Sequence, residues 1–198
     1  MSSTPENLTL RERTRRAVRA EITDTALRLF AEQGFEATTV DQIASAAGIS
    51  RRSFFHYFGS KEDVVMGDLE ALGLRVRDAL EARPATETAW EALSEALKTL
   101  SGPDTDAVTE LEIARMYSDA PSLRAKHLEK HLRWQELFAP DVERRLGIAP
   151  GATADPRARA IIAAALACLD IAVEAWRESD GAADPVELFD AAVAAVRA

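Results

Sequence analysis

Apolar residues recur at three- and four-residue spacing along most of the chain, and the two-residue alternation typical of strands is hard to find. This periodicity predicts an all-α fold. Two short stripes of this kind lie within residues 39–58 and flank Gly48, at a position where helices commonly end in a left-handed conformation. Thr38 or Thr39 can cap the first helix, and Ser50 can cap the second. The stripes consist of Val40, Ile43, Ala44 and Ala47 on the first helix and of Ile49, Phe54 and Phe58 on the second.

Helices are also predicted on both sides of this hairpin. The first begins between Leu10 and Arg15 and runs to about Gln33, with Thr9 and Glu12 at the spacing of a capping box. Downstream, glycine and proline residues separate further segments with apolar periodicity. These predicted helices are a long one over 60–83, then 86–101, 104–118, 122–146, 155–178 and a last one from 184 onward. About nine helices are therefore expected.

The charge distribution supports a division into two domains, which we expect at residues 10–62 and 63–198. The whole chain has a formal net charge of −9, but the part through Lys61 carries +2 and the remainder −11. A basic region on an acidic body favours one docking orientation on a polyanion. The arginine-rich segment 11–19 either contacts phosphates and a minor groove or is a solvated terminus.

The second helix of the hairpin has a polar outer face. Two adjacent arginines in its first turn suit bidentate bonding to guanine edges in the major groove. In a helix-turn-helix, the second helix enters that groove. The alternative is an ordinary helical hairpin with a solvated charged face. The outer face comprises Arg51, Arg52, Ser53, Phe55, His56 and Tyr57.

A long ordered pattern contains this hairpin. From Leu29 the chain reads LF-x-x-x-G-F-x-x-T-T-V-x-x-I-A-x-x-A-G-I-S, and from Phe58 it reads F-x-S-K-E. Over roughly residues 16–63 the chain resembles the N-terminal domain of the TetR family of transcriptional regulators. The resemblance implies a three-helix DNA-binding domain, with its helix-turn-helix at 39–58, followed by a helical domain for ligand binding and dimerisation.

The resemblance also implies DNA contacts from particular side chains. One position departs from the family pattern: Phe55 stands where the family usually has a tyrosine that commonly hydrogen-bonds a phosphate. That contact is lost here, and the neighbouring arginines are expected to supply affinity. The DNA-contacting set is Thr39, Arg51, Arg52, Ser53, Phe55, His56, Tyr57 and Lys61, the last as a phosphate contact.

Composition restricts the chemistry and the location. The single cysteine, Cys168, excludes an intrachain disulfide and a multi-cysteine metal cluster, and it lies in the apolar pattern of a small core residue. The N-terminal segment lacks the apolar core of a signal peptide. The longest apolar run, residues 160–169, is far shorter than the roughly 20 residues that span a bilayer. We therefore expect a cytoplasmic protein that does not enter a membrane.

Two histidines, His127 and His131, lie four residues apart in a predicted helix. The segment HLEKH superficially resembles zinc peptidases, but Glu129 lies midway between the histidines, which excludes the peptidase motif. Two histidines also leave zinc short of ligands, so no metal and no cofactor is predicted. Residues 121–147, with RRSFFHYFGSKEDVV upstream, resemble mycofactocin-type regulators of the TetR family, which implies an acyl-thioester or other amphipathic ligand. The candidate pocket residues are Leu72, Val76, Trp90, Leu111, Met116, His127, His131, Trp134 and Phe138.

The alanine-rich helix over 155–178 is apolar nearly all round. Such a helix is buried on both sides, either within its own domain or partly against a second copy. The last helix can complete a four-helix interface across a two-fold axis, and the family resemblance favours this homodimer. The candidate interface residues are Ile161, Ala164, Ala167, Cys168, Ile171, Phe189 and Val193.

These observations favour a ligand-responsive transcriptional regulator over two other classes of protein. The expected mechanism is repression from a palindromic operator and release by a small amphipathic or apolar ligand. Its expected partners are double-stranded DNA, a small-molecule effector and a second copy of the chain. One alternative is a dimeric helical interaction module without DNA binding, at which Phe55 hints. The other, with the least support, is a metal-dependent enzyme at His127 and His131.

Overall fold

The computed structural model describes residues 9–67, 69–101, 111–116, 120–149 and 155–198. Within these ranges every regular element is an α-helix and no strand occurs, so the all-α prediction is confirmed. Residues 111–116 are helical, and the rest of the predicted helix 104–118 lies outside the described residues. The other helices are α1 (Leu10–Gln33), α2 (Val40–Ala46), α3 (Arg51–Tyr57), α4 (Glu62–Met66), α5 (Leu69–Glu81), α6 (Ala89–Lys98), α7 (Pro121–Arg145), α8 (Arg157–Glu178) and α9 (Pro185–Arg197).

The chain forms two compact units, the first ending at Gly67 and the second following it directly. Helix α1 of the first unit begins as its sequence predicts: the side chain of Thr9 accepts from the backbone N–H of Glu12, whose carboxylate accepts from Thr9. This reciprocal pair satisfies amides that a helix start leaves without partners. The apolar faces of α1 to α4 form the core of this unit, with Ile22, Ala26, Phe30, Ile43, Phe54 and Phe58 buried.

The predicted continuous helix over 60–83 is wrong. Helix α4 ends at Met66, Gly67 has a φ of 68°, and α5 begins at Leu69. A positive φ interrupts a right-handed helix, and glycine adopts it without the steric cost that a Cβ would add. Apolar residues continue at helical spacing on both sides, so the periodicity alone did not indicate the break.

The second unit is built around a core shared by α5 to α9. Helices α5 and α7 approach closely at Gly73, where a Cβ would lie only 2.5 Å from the indole Nε1 of Trp134. The same Nε1 donates a hydrogen bond to the carbonyl of Leu69, at 3.1 Å. Trp134 thus packs against a surface that only glycine leaves open. Fully enclosed side chains of this core include Leu80, Leu93, Leu97, Phe138, Val142, Ile162 and Leu166.

A buried arginine ties α7 to the end of α5. The Arg145 side chain is 2% exposed and pairs with Asp141, which is 6% exposed, across 2.7 Å. Its guanidinium also donates to the carbonyls of Leu80, Arg83, Pro84 and Glu87 at 2.8–3.3 Å. Helix C-termini leave carbonyls without intrahelical partners, and Arg145 satisfies several of them with one planar group. Among the described residues, no helix is long and apolar enough to span a membrane.

Candidate nucleic-acid interface

Helices α2 and α3 form a hairpin that is fixed by local hydrogen bonds. Thr39 caps α2 and exchanges hydrogen bonds with Gln42. Gly48 has a φ of 66° in the turn, and the N–H of Ile49 donates to the carbonyl of Ala44 at 2.9 Å. Ser50 then caps α3 through its side chain. The turn and both caps lie where the sequence predicts them.

The two sides of α3 differ sharply in exposure. Phe54 is fully buried and Phe58, just after the helix, is 4% exposed. Arg51, Arg52, Phe55 and His56 are exposed, and we call these four residues the outer face of α3. Ser53 and Tyr57 are half-buried at its edges. Of the predicted DNA-contacting residues on this helix, four are therefore open to a ligand as large as a DNA duplex.

The two arginines of the outer face are not held in place by strong internal contacts. Arg51 forms an ion pair with Asp41 at 3.0 Å, but both side chains are about two-thirds exposed. Exposed pairs contribute roughly 0–1 kcal/mol, so Arg51 can exchange this partner for a nucleic acid. Arg52 makes no ion pair with any residue that the structure describes.

The structure gives Lys61, the predicted phosphate contact, partners within the chain. Its Nζ donates to the backbone carbonyls of Phe35, Glu36 and Thr38 at 2.9–3.3 Å, and it lies 4.4 Å from the centre of the Phe35 ring. An ammonium group has three N–H donors, and these carbonyls occupy them. Lys61 therefore holds the α1–α2 connection in place, and a phosphate contact would require it to give up one of these hydrogen bonds.

The arginine-rich segment 11–19 is part of α1 and does not form an arm before it. Arg19 is used internally: it donates to the carbonyl of Tyr57 at 2.7 Å, and its guanidinium lies 4.5 Å from the centre of the Phe58 ring. This contact satisfies a carbonyl at the C-terminal end of α3. It also places a positive charge at the negative end of the helix dipole, which is a favourable interaction. The side chains of Arg11, Arg13, Arg15 and Arg16 are exposed.

The predicted pocket residues separate into four groups in the second unit. Val76, Trp134 and Phe138 are buried in the common core, with exposures of at most 4%. Leu72 and Trp90 pack against the edge of that core. Leu111 and Met116 are half-buried in the helical segment 111–116. His127 and His131 form the fourth group together with an aspartate that is distant in sequence.

That residue is Asp170 on α8. His127 Nε2 lies 2.9 Å from Asp170 Oδ1, and His131 Nε2 lies 3.3 Å from the same oxygen. Burial disfavours the carboxylate, but the contacts with both histidines outweigh it and hold the pKa of Asp170 below its usual range. Nearby, burial lowers the pKa of Lys130 to about 8, against the opposing effect of Asp170. Asp170 is 39 or more residues away in sequence, so no local spacing could indicate it.

The structure divides the predicted interface residues between a surface and the core. Cys168, Phe189 and Val193 are buried within the chain's own second unit, so their side chains cannot be presented to a second copy. These three assignments are wrong, because α9 packs its apolar face on α8 of the same chain. Ala167 and Ile171 are exposed on α8, Ile171 by 57%, and Ile161 and Ala164 are half-buried beside them.

Comparison with protein families divides the chain at a similar place. The family described as bacterial regulatory proteins, tetR family, matches residues 22–66. The family described as the MftR C-terminal domain matches residues 87–198, which is more than half of the chain.

Curated relatives are transcriptional regulators. The regulator TcmR of Streptomyces glaucescens is 33% identical over 153 residues, which cover 74% of this chain and 68% of the relative. The mycofactocin biosynthesis transcriptional regulator MftR of Mycobacterium tuberculosis is 32% identical over 127 residues, which cover 64% of each protein. The chain thus spans about two thirds of the length of these relatives.

Solved structures share the fold at lower identity. The FadR repressor of Thermus thermophilus, crystallised with lauroyl-CoA, superposes with a TM-score of 0.55 at 22% identity and covers 88% of this chain and 91% of its own. FadR of Bacillus halodurans superposes with a TM-score of 0.58 at 19% identity, covering 98% and 95%.

Proposed function

This chain belongs to the tetR family of bacterial regulatory proteins and is a DNA-binding transcriptional regulator; we propose that it is a repressor whose homodimer occupies a pseudo-palindromic operator. Residues 10–62 bind the DNA, and residues 63–198 bind a small amphipathic effector and form the dimer. A regulator of this kind acts in the cytoplasm, where its operator is.

One observation supports the DNA-binding role above the others: the outer face of α3 is exposed while the same helix is fixed from behind. Two guanidinium groups project from one turn and can bond guanine edges in the major groove. Phe54 and Phe58 anchor the inner side of the helix, and Arg19 holds its C-terminal end. A recognition helix needs this combination, because base discrimination depends on positioned donors.

Sequencing the DNA fragments that the purified protein retains from a fragmented genome tests this proposal. The expected result is enrichment of a pseudo-palindrome whose half-sites are about 34–36 Å apart, or a multiple of that distance. Footprinting would then show two protected major grooves. Retention of fragments with no common sequence, with uniform loss at higher salt, would contradict operator recognition.

The exposed side of α8 supports the dimer. Ala160, Ala163, Ala167 and Ile171 are exposed at helical spacing, so small and apolar side chains share one open face. In Ala167→Arg an unpaired charge would enter a desolvated contact, costing several kcal/mol. The expected variant is a folded monomer by sedimentation and circular dichroism, with operator binding largely lost. A variant that remains a dimer would place the interface elsewhere.

An acyl thioester is the effector class that the relatives favour. The FadR structures of Thermus thermophilus and Bacillus subtilis contain lauroyl-CoA and stearoyl-CoA, and the second unit matches the MftR C-terminal domain. If such a ligand prefers the conformation with low DNA affinity, it releases the repressor by that preference. Titration of the operator complex with acyl-CoA of several chain lengths should weaken DNA binding by about 5–150-fold. Coenzyme A without an acyl chain is the control, and an equal response to both would exclude the acyl chain as the recognised group.

A further inference from the structure

The cluster of His127, His131 and Asp170 has no role in the proposed DNA binding. The histidines lie one turn apart on α7, and the aspartate comes from α8, which packs against α7. One ligand atom from each residue can be chosen so that all three lie within 4.8 Å of one another. The geometry points to a new site: we propose that these residues bind a divalent transition-metal ion of the zinc type.

The distances fit such an ion. Zinc binds imidazole nitrogen and carboxylate oxygen at about 2.0–2.2 Å in a tetrahedral arrangement, which separates neighbouring ligand atoms by about 3.3 Å. His131 Nε2 is 3.3 Å from Asp170 Oδ1, and His127 Nε2 is 2.9 Å from the same atom. Both histidine–aspartate separations therefore lie within a few tenths of an ångström of the tetrahedral value.

The partial burial of the cluster favours a bound ion over a set of solvated surface side chains. The His131 side chain is 13% exposed and that of His127 30%, so both imidazoles are largely fixed by their neighbours. Their rings lie 4.4 Å apart between centroids. Asp170 is 39% exposed and leaves one side open. Through that opening, water or an oxygen of another molecule can complete the coordination.

The donor set selects the kind of metal. Two imidazoles and one carboxylate suit zinc, cobalt, nickel and copper, whereas magnesium and calcium prefer oxygen ligands alone. Glu129 does not join the site, because its carboxylate pairs with Lys126 and Arg133 on the other side of the helix. The bound ion would link α7 to α8 within the second unit and stabilise the fold in which the two helices are packed.

Binding of Zn²⁺ and Co²⁺ to the full-length protein tests the site, after removal of any affinity tag and treatment with a chelator. Calorimetry should find one ion per chain, and Co²⁺ should give the visible ligand-field bands of four-coordinate nitrogen and oxygen ligation. At a hundredfold excess over the Kd, zinc should raise the melting temperature by about 5–10 °C. Wild-type protein that takes up neither ion would overturn the proposal.

Two variants and a matched control locate the ion. His131→Gln and Asp170→Asn each remove one ligand and should weaken zinc binding at least tenfold. Glu129→Gln removes a carboxylate between the histidines and should leave affinity and the cobalt spectrum unchanged. If a ligand variant is poorly folded by circular dichroism, the same comparison is made with His127→Gln. Equal binding by the control and the ligand variants would overturn the assignment to this cluster. These measurements use no DNA, so their outcome is independent of operator binding.

Discussion

The two units of the chain place their arginines in opposite environments. In the first unit, Arg51 and Arg52 project from α3 into solvent. In the second, Arg145 has an exposure of 2% and donates to carbonyls at the C-terminal end of α5 and in the turn that follows. The same type of side chain is thus exposed at the surface in one unit and part of the interior in the other. Lys61 departs from this division, because it lies in the first unit but anchors backbone carbonyls as Arg145 does.

The largest effect is expected from Arg145→Met, which leaves Asp141 buried without its main partner and several carbonyls without donors. Breaking a buried pair costs about 3–5 kcal/mol, and urea unfolding would measure the loss. Arg144→Met is the matched control, since Arg144 contacts the same aspartate but is 56% exposed. Its cost should stay near or below about 1 kcal/mol. Equal losses in the two variants would mean that burial does not distinguish the two arginines.

Lys61→Met sharpens the comparison within the first unit. Hydrogen bonds from a charged donor contribute about 1.5–3 kcal/mol, so the free energy of unfolding should fall by that amount. The salt dependence of DNA binding should keep its slope, because no phosphate contact is removed. The two quantities are measured on the same variant by thermal unfolding and by binding at several salt concentrations. A flatter salt slope with unchanged stability would restore Lys61 to the DNA interface.

Arg52→Ala should show the reverse pattern. Loss of a bidentate base contact costs about 1–3 kcal/mol of operator affinity and relaxes the choice of base at one position. Stability should change by no more than about 0.5 kcal/mol, as for other exposed positions. Fluorescence anisotropy with operator variants measures the first quantity and urea unfolding the second. Full retention of affinity and selectivity in this variant and in Arg51→Ala would show that the outer face of α3 does not contact bases.

The smallest effect is expected from Phe55→Tyr. Phe55 is 46% exposed, so an added hydroxyl reaches solvent and costs little. A regained phosphate contact would tighten DNA binding by at most about 1.5 kcal/mol. Phe54→Tyr is the contrasting change, since Phe54 is fully enclosed and a buried hydroxyl without a partner costs about 1–3 kcal/mol of stability. A large loss of DNA affinity in Phe55→Tyr would show that this ring packs against an apolar part of the DNA.

The sequence predicted the first unit nearly residue by residue because its signals are local. The caps at Thr9 and Thr39 and the turn at Gly48 each depend on residues within four positions. The break at Gly67 was missed because apolar spacing continues across it. The carbonyl contacts of Lys61 could not be predicted either, since an ammonium can bind a phosphate or a backbone carbonyl and only the fold decides which is near.

In the second unit the sequence predicted helices but not their polar contacts. Asp170 meets His127 across 43 positions, and Arg145 meets its carbonyl partners across 58–65. No periodicity encodes such pairs, because each depends on how two helices pack. The same limit explains why Cys168, Phe189 and Val193 were assigned to the dimer interface. Their apolar character fits a dimer surface and an internal core alike. Packing of α9 on α8 decides between the two.

The large sequence separation between Arg145 and its carbonyl partners also affects the order in which the two units can fold during synthesis. The first unit closes its own caps and anchors once residues 9–62 have emerged, so it can fold while translation continues. The turn after α5 cannot complete its hydrogen bonds at that stage, because the donor to its carbonyls is synthesised about 60 residues later. Until that residue leaves the ribosome, the nascent segment exposes apolar helices that have no finished partner. The first unit is therefore expected to fold early, and the second unit is expected to fold only after Arg145 has been synthesised.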